Sequence, residues 1–159
     1  MSLKRMQSEL KEIKKDPNYF YSVVPTKNNF YKWDAIVIGT PDTLFEGMII
    51  NATLEFPSDY PIKPPVFKFT TPLFHPNVYQ DGKVCISILH EGEDVFGYEK
   101  ISERWSPSQS VNSIIISILS ILGEPNFESP ANVDACKMWK EDFNNYKKII
   151  YKMVAESQR

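Results

Sequence analysis

Six prolines fall between Pro57 and Pro76 in a chain of 159 residues, and nothing else restricts the fold as strongly. Each holds φ near about −65° and removes a backbone donor, so this stretch is neither regular helix nor central strand. It is a rigid, extended divider, and one of its X-Pro bonds is a candidate for the cis form. The hydrophobic patterning changes across it, from a period of two before to a helical period after.

On the N-terminal side, Leu3, Met6, Leu10 and Ile13 recur at helical spacing among Lys4, Arg5, Lys11, Lys14 and Lys15. This predicts an amphipathic helix over residues 2–15, ended by Asp16-Pro17 because proline disfavours helix in the residue before it. Its basic face reads equally as solvated surface or as a docking face. Tyr19–Val24 and Tyr31–Ile38 are rich in aromatic and β-branched residues, and a polar turn at Thr26–Asn29 separates them. Met48, Ile50, Ala52, Leu54 and Phe56 alternate with Asn51, Thr53 and Glu55, the period of two of a half-buried strand. Val66–Phe69 is a fourth strand. Turn residues, Gly39-Thr40-Pro41-Asp42 most clearly, separate the strands at hairpin-like intervals, which predicts an antiparallel meander.

Beyond the prolines, Ser110 is placed to cap a largely apolar helix over Val111–Leu122, with Ser113, Ser117 and Ser120 as its polar stripe. Gly123 suits its C-terminal cap. Ser129-Pro130 reads as the start of a second helix running to about Phe143. A third carries Tyr146, Ile149, Ile150, Met153 and Val154 on one face. The expected fold is therefore α+β: an N-terminal helix, a four-stranded antiparallel meander, then three C-terminal helices. We read residues 1–159 as a single domain, with no repeat, linker or low-complexity tract.

A formal charge of −2 argues against a protein dominated by nucleic-acid backbone binding. The longest apolar run, Val111–Leu122, is too short to span a membrane, and residues 1–15 lack the apolar core of a signal peptide. With two cysteines there is no disulfide framework, and the expected setting is cytosolic or nuclear. Cys85, Cys136, His75 and His90 fit no zinc spacing, so no metal is expected. No glycine-rich phosphate loop or nucleophile elbow is present.

What remains is Cys85, just past an Asp81-Gly82 turn in His-Pro-Asn-Val-Tyr-Gln-Asp-Gly-Lys-Val-Cys. An unpaired cysteine is commonly a small buried hydrophobe. Its alternative role is as a nucleophile, and Cys136, inside a predicted helix, suits that role less well. A cysteine–histidine protease would need His75 as base, but Pro76 restrains it and no protease signature surrounds Cys85.

His75-Pro76-Asn77 with Cys85 eight residues on resembles the signature of ubiquitin-conjugating enzymes. Phe56–Pro65 is similar to that family's proline-rich loop, Trp105-Ser106-Pro107 to its tryptophan loop, and Glu124–Pro130 to its pre-helix segment. The insertion at about 90–104, which contains Glu91, Glu93, Asp94, Glu99 and Glu103, resembles the acidic loop of the G-type subgroup. Ser129–Asp134 resembles that subgroup too.

The resemblance implies a function. Cys85 would take ubiquitin from an activating enzyme as a thioester and pass it to a lysine amine, with a RING-type ligase guiding transfer to protein substrates. No cofactor is implied, because the activating enzyme consumes the ATP. Asn77 would donate to the oxyanion and shape its loop, and His75 and Pro76 would be structural. Common relatives carry lysine-assisting acids where this chain has Ser87 and Ser129, which points instead to Glu128 and to Glu91, Glu93 and Asp94. Lys4 and Arg5 would face the activating enzyme, and Ile62, Pro107 and Ser108 the ligase. The subgroup implies polyubiquitin chains for proteasomal degradation, in the cytoplasm, at the endoplasmic reticulum through a partner, or in the nucleus. The alternatives are conjugation of another ubiquitin-like modifier, or a non-catalytic variant that only binds ubiquitin or a ligase.

Overall fold

The computed structural model describes residues 1–91 and 103–159, so Glu93, Asp94 and Glu99 of the acidic insertion lie outside the described residues. Helix α1 spans Ser2–Lys15. Strands β1 (Tyr21–Thr26), β2 (Asn29–Ile38), β3 (Ile49–Glu55) and β4 (Val66–Phe69) follow. Helices α2 (Val111–Gly123), α3 (Val133–Glu141) and α4 (Phe143–Ser157) complete the chain. The strands pair antiparallel in chain order, the predicted meander. This is the α+β arrangement expected.

The alternation sets the register. Met48, Ile50, Ala52, Leu54 and Phe56 are all buried, as are Trp33, Ala35 and Val37 opposite them. A slip of one residue would turn these side chains out to water. Helix α2 buries Val111, Ile114, Ile115, Ile118, Leu119 and Leu122 in the same cluster, so it is the central helix its apolar circumference implied. Its N-terminus is a reciprocal capping box. Ser110 Oγ accepts from the Ser113 amide at 3.1 Å, and Ser113 Oγ accepts from the Ser110 amide at 2.8 Å. Among the described residues, no helix is long and apolar enough to cross a membrane.

Several expectations at element ends are corrected. Leu3 lies on the exposed side of α1, while Met6 is buried and Leu10 and Ile13 pack against the core. Tyr19 is exposed ahead of β1, which starts at Tyr21. Helix α3 does not start at Ser129-Pro130. The Ala131 and Asn132 amides donate to the Pro76 carbonyl at 2.8 and 3.0 Å, which holds this segment out of helix. Asn132 is the cap instead, its side chain accepting from the Ala135 amide. Helix α3 also ends at Glu141, so Phe143 opens the next helix. Gly123 is the last residue of α2 rather than a left-handed cap, and Glu124 caps it. A Cβ on Gly123 would lie 2.7 Å from the Thr43 methyl carbon, so glycine serves close approach there.

Candidate active site

The proline-rich stretch delivers the chain to a tightly bonded corner. Tyr60–Pro61 is its cis bond. Phe74 is fixed by the Tyr146 hydroxyl, which donates to its carbonyl at 2.7 Å, and Pro76 by the two amides ahead of α3. Residues 75–85 then fold back on themselves. Val78 pairs with Val84, and the Tyr79 amide donates to the Lys83 carbonyl at 2.8 Å. Gly82 makes the reversal possible. Its φ is +96°, and a Cβ would lie 2.0 Å from the Phe69 carbonyl oxygen. Only glycine fits both demands.

This reversal sets Cys85 beside Asn77, whose carbonyl accepts from the Cys85 amide at 2.8 Å. Cys85 is half-buried, whereas Cys136 is buried in α3. A short 3-10 turn, Ser87–Leu89, follows the thiol. The Tyr79 hydroxyl is hydrogen-bonded to Cys85. Charge on Cys85, then desolvation and that hydrogen bond, raise the Tyr79 phenol above its ordinary value.

Asn77 is buried and its side-chain amide is bound at both ends. Nδ2 donates to the Asn126 carbonyl at 2.8 Å, and Oδ1 accepts from the Asn126 amide at 2.9 Å. The pair locks the segment before α3 against the cysteine loop. His75 is fully buried, between the Phe45 and Trp139 rings. Its Nδ1 accepts from the Asn77 amide at 3.0 Å, which places the ring proton on Nε2, donating to the Ile121 carbonyl at 2.9 Å. Burial lowers its pKa to about 4. The ring is therefore neutral at physiological pH, and with both nitrogens engaged inside the fold it braces Asn77.

Glu128 and Ser129 are exposed on the Asn126 segment, where the Glu128 amide donates to the Asn126 side chain. Glu91 is exposed at the start of the insertion. The insertion is closed at its base: the Trp105 amide donates to the His90 carbonyl at 2.9 Å, and Arg104 Nη2 donates to the Glu91 carbonyl at 2.8 Å. Among the described residues, no cluster of His, Cys, Asp and Glu could hold a metal ion.

The residues expected to meet partners are drawn together elsewhere on the surface. Arg5 Nη2 donates to the Gln109 carbonyl at 2.8 Å, joining α1 to the tryptophan loop. Trp105 Nε1 donates to the Pro61 carbonyl at 2.9 Å, joining that loop to the proline-rich one. Lys4, Ile62, Pro107 and Ser108 are exposed around these junctions. Sequence reasoning missed Tyr79 and Asn126. The signal for Tyr79 is an aromatic facing Cys85 across the Asp81-Gly82 turn. For Asn126 there is none, because its contacts with Asn77 are made by its backbone.

A family profile described as "Ubiquitin-conjugating enzyme" matches residues 5–154. Over 159 residues the chain is 48% identical to ubiquitin-conjugating enzyme E2-18 kDa of Schizosaccharomyces pombe, covering 99% of this chain and 96% of that protein. It is 48% identical over 158 residues to ubiquitin-conjugating enzyme E2 G2 of Homo sapiens, covering 98% and 96%. With ubiquitin-conjugating enzyme E2 7 of Arabidopsis thaliana the identity is 47% over 155 residues, covering 96% and 93%. With near-half identity along its whole length and the profile spanning most of it, the chain belongs to the ubiquitin-conjugating enzyme family, in its G-type subgroup.

Proposed function

We propose that Cys85 carries ubiquitin as a thioester and passes it to a lysine amine. The observation that carries this reading is the half-buried thiol, held by its own amide to the carbonyl of the buried Asn77. Charging exchanges like for like: a bond forms from Cys85 Sγ to ubiquitin's terminal carbonyl carbon, and the activating enzyme's cysteine leaves as thiolate. No base is needed for so balanced a step, which agrees with a neutral, enclosed His75. In discharge the lysine nitrogen attacks that carbon, the Cys85 thiolate leaves, and the amine's proton passes to a nearby carboxylate or to water. We assign the oxyanion donor to the Asn77 side-chain amide, beside Cys85 in the same corner, a contribution worth roughly 2.7–4 kcal/mol for comparable donors.

Ser87 and Ser129 supply no carboxylate, so we assign the negative potential that attracts and deprotonates the lysine to Glu128, Glu91, Glu93 and Asp94. Activating enzyme and RING-type ligase would share the face around Lys4, Arg5, Ile62, Pro107 and Ser108, so charging and ligase-assisted discharge alternate. Extension of polyubiquitin for proteasomal degradation, without a cofactor on this chain and in the cytoplasm, is supported by the G-type resemblance.

The test is charging with activating enzyme, ATP and ubiquitin. A reductant-sensitive adduct that survives Cys136→Ser and becomes reductant-resistant in Cys85→Ser is expected. A folded protein that gives no adduct with ubiquitin refutes the reading, and an adduct with another modifier alone would reassign the substrate. Replacing Glu91, Glu93 and Asp94 with alanine should slow discharge to free lysine with charging intact. Unchanged discharge would remove the acidic loop from the mechanism.

A further inference from the structure

The face just described is built from three separate stretches: the start of α1, the residues around Ile62, and the loop from Trp105 to Ser110. None of the two loops is held by a strand or helix of its own at the exposed positions. Their relative placement depends on what ties them together underneath, and one carboxylate does most of this.

Glu9 lies on the inner side of α1 with its side chain 10% exposed. Its Oε1 accepts from the Val111 amide at 2.8 Å. That amide is the first of α2, and the Ser110–Ser113 box leaves it unpaired, so a carboxylate there also meets the positive end of the helix. Its Oε2 accepts from Arg5 Nε at 3.0 Å and from the Tyr60 hydroxyl. Tyr60 is fully buried and precedes Pro61, whose carbonyl receives the Trp105 indole. Arg5, held by Glu9, grips the Gln109 carbonyl. The bonds form a closed ring: Glu9 to Tyr60, Pro61 to Trp105, Gln109 to Arg5, and back to Glu9. Lys4, Ile62, Pro107 and Ser108 stand on its outer side.

We propose that Glu9 is a positioning residue for partner engagement: its enclosed carboxylate fixes the spacing of the three surface segments on which activating enzyme and ligase both dock. This rests on the reading of Cys85 given above and extends it. Glu9 bonds none of the residues around Cys85, so its loss acts on encounter with partners and leaves the thioester's intrinsic reactivity alone. The three bonds are charge-assisted, and removing them leaves the Val111 amide and the Tyr60 hydroxyl without their partner.

The experiment compares wild type, Glu9→Ala, Glu9→Gln and Tyr60→Phe, with Lys152→Ala on the exposed face of α4 as control. Charging is measured as a function of protein concentration at fixed activating enzyme. Discharge to free lysine is measured alone and with a purified RING domain that accelerates the wild type. For Glu9→Ala we expect KM for charging to rise about tenfold with kcat within about twofold, and RING stimulation at subsaturating RING to fall about tenfold. RING-free discharge and the control stay at wild-type values. Glu9→Gln recovers part of the loss because its amide oxygen can still receive Val111, and Tyr60→Phe loses less than Glu9→Ala. Should Glu9→Ala fail to fold, these two variants carry the same KM-against-kcat comparison. KM and RING stimulation within twofold of wild type in Glu9→Gln and Tyr60→Phe would overturn the proposal, as would RING-free discharge falling in step with them. A wild-type protein that is never charged overturns the reading of Cys85, and this inference with it.

Discussion

The enclosed imidazole of His75 gives the protein an acid-sensitive brace. In the unfolded chain this histidine titrates near the ordinary 6.5, and in the fold near 4, because burial disfavours the charged ring. Above pH 6.5 both states are neutral there, and the packing of His75 is fully available to stability. As pH falls below 6.5 the unfolded chain takes up a proton that the folded chain refuses, so stability declines until the folded ring also titrates. At about 1.4 kcal/mol per pH unit, the loss from this residue is about 2 kcal/mol by pH 5 and about 3 kcal/mol by pH 4. Protonation also converts Nδ1 to a donor facing the Asn77 amide, so the strain falls on the segment that holds Cys85. Urea unfolding of wild type and His75→Gln between pH 7.5 and 4 isolates the effect, since carboxylate contributions are common to both. The variant should be less stable at neutral pH, through loss of the bond from the Asn77 amide, and the gap should close by about 2 kcal/mol at pH 5. Parallel curves, or ring resonances of His75 titrating near 6.5, would refute the reasoning.

Two further outcomes follow from the same corner. Gly82→Ala combines a left-handed φ with a clash against the Phe69 carbonyl, so a loss of at least about 2 kcal/mol in unfolding free energy is expected, with slower Cys85 charging; a melting temperature equal to wild type would contradict it. Asn77→Ala removes two hydrogen bonds to Asn126, for a loss of about 1–3 kcal/mol in chemical denaturation. Its discharge rate should fall further than its charging rate, and equal falls would restrict Asn77 to a structural role.

The sheet was legible because burial obeyed a period of two: Met48, Ile50, Ala52, Leu54 and Phe56 are all buried, while the apolar Ile49, out of phase with them, is exposed. Helix α2 was legible because Ser110 and the apolar run agree. The Cys85 corner was visible as a turn signal, and reading it as a site rests on resemblance to known enzymes. What stayed hidden depends on contacts distant in sequence. Pro76 takes the amides that would have begun α3 at Pro130. Gly123 answers to Thr43, eighty residues away, rather than to its own φ. Nothing in the sequence sets Glu9 apart from the other charges of an amphipathic helix, yet it is joined to Val111 across more than a hundred residues. Local propensity carries no trace of such partners.

The closed base of the insertion has a consequence for what can change here. Glu91 and Arg104 flank the insertion, and the bonds from Trp105 to His90 and from Arg104 to Glu91 join its two ends directly. For a flexible loop, the entropy of bringing two such ends together grows by only about 0.6 kcal/mol for each doubling of length, and here the ends are tied by bonds of their own. The two ends thus form a socket pinned through backbone carbonyls, which any residue at positions 90 and 91 would supply. The socket follows Cys85 by only a few residues in the chain, so the variable stretch and the thiol share one short segment of sequence. Relatives of this chain could diversify their chemistry at that point by trading loops alone.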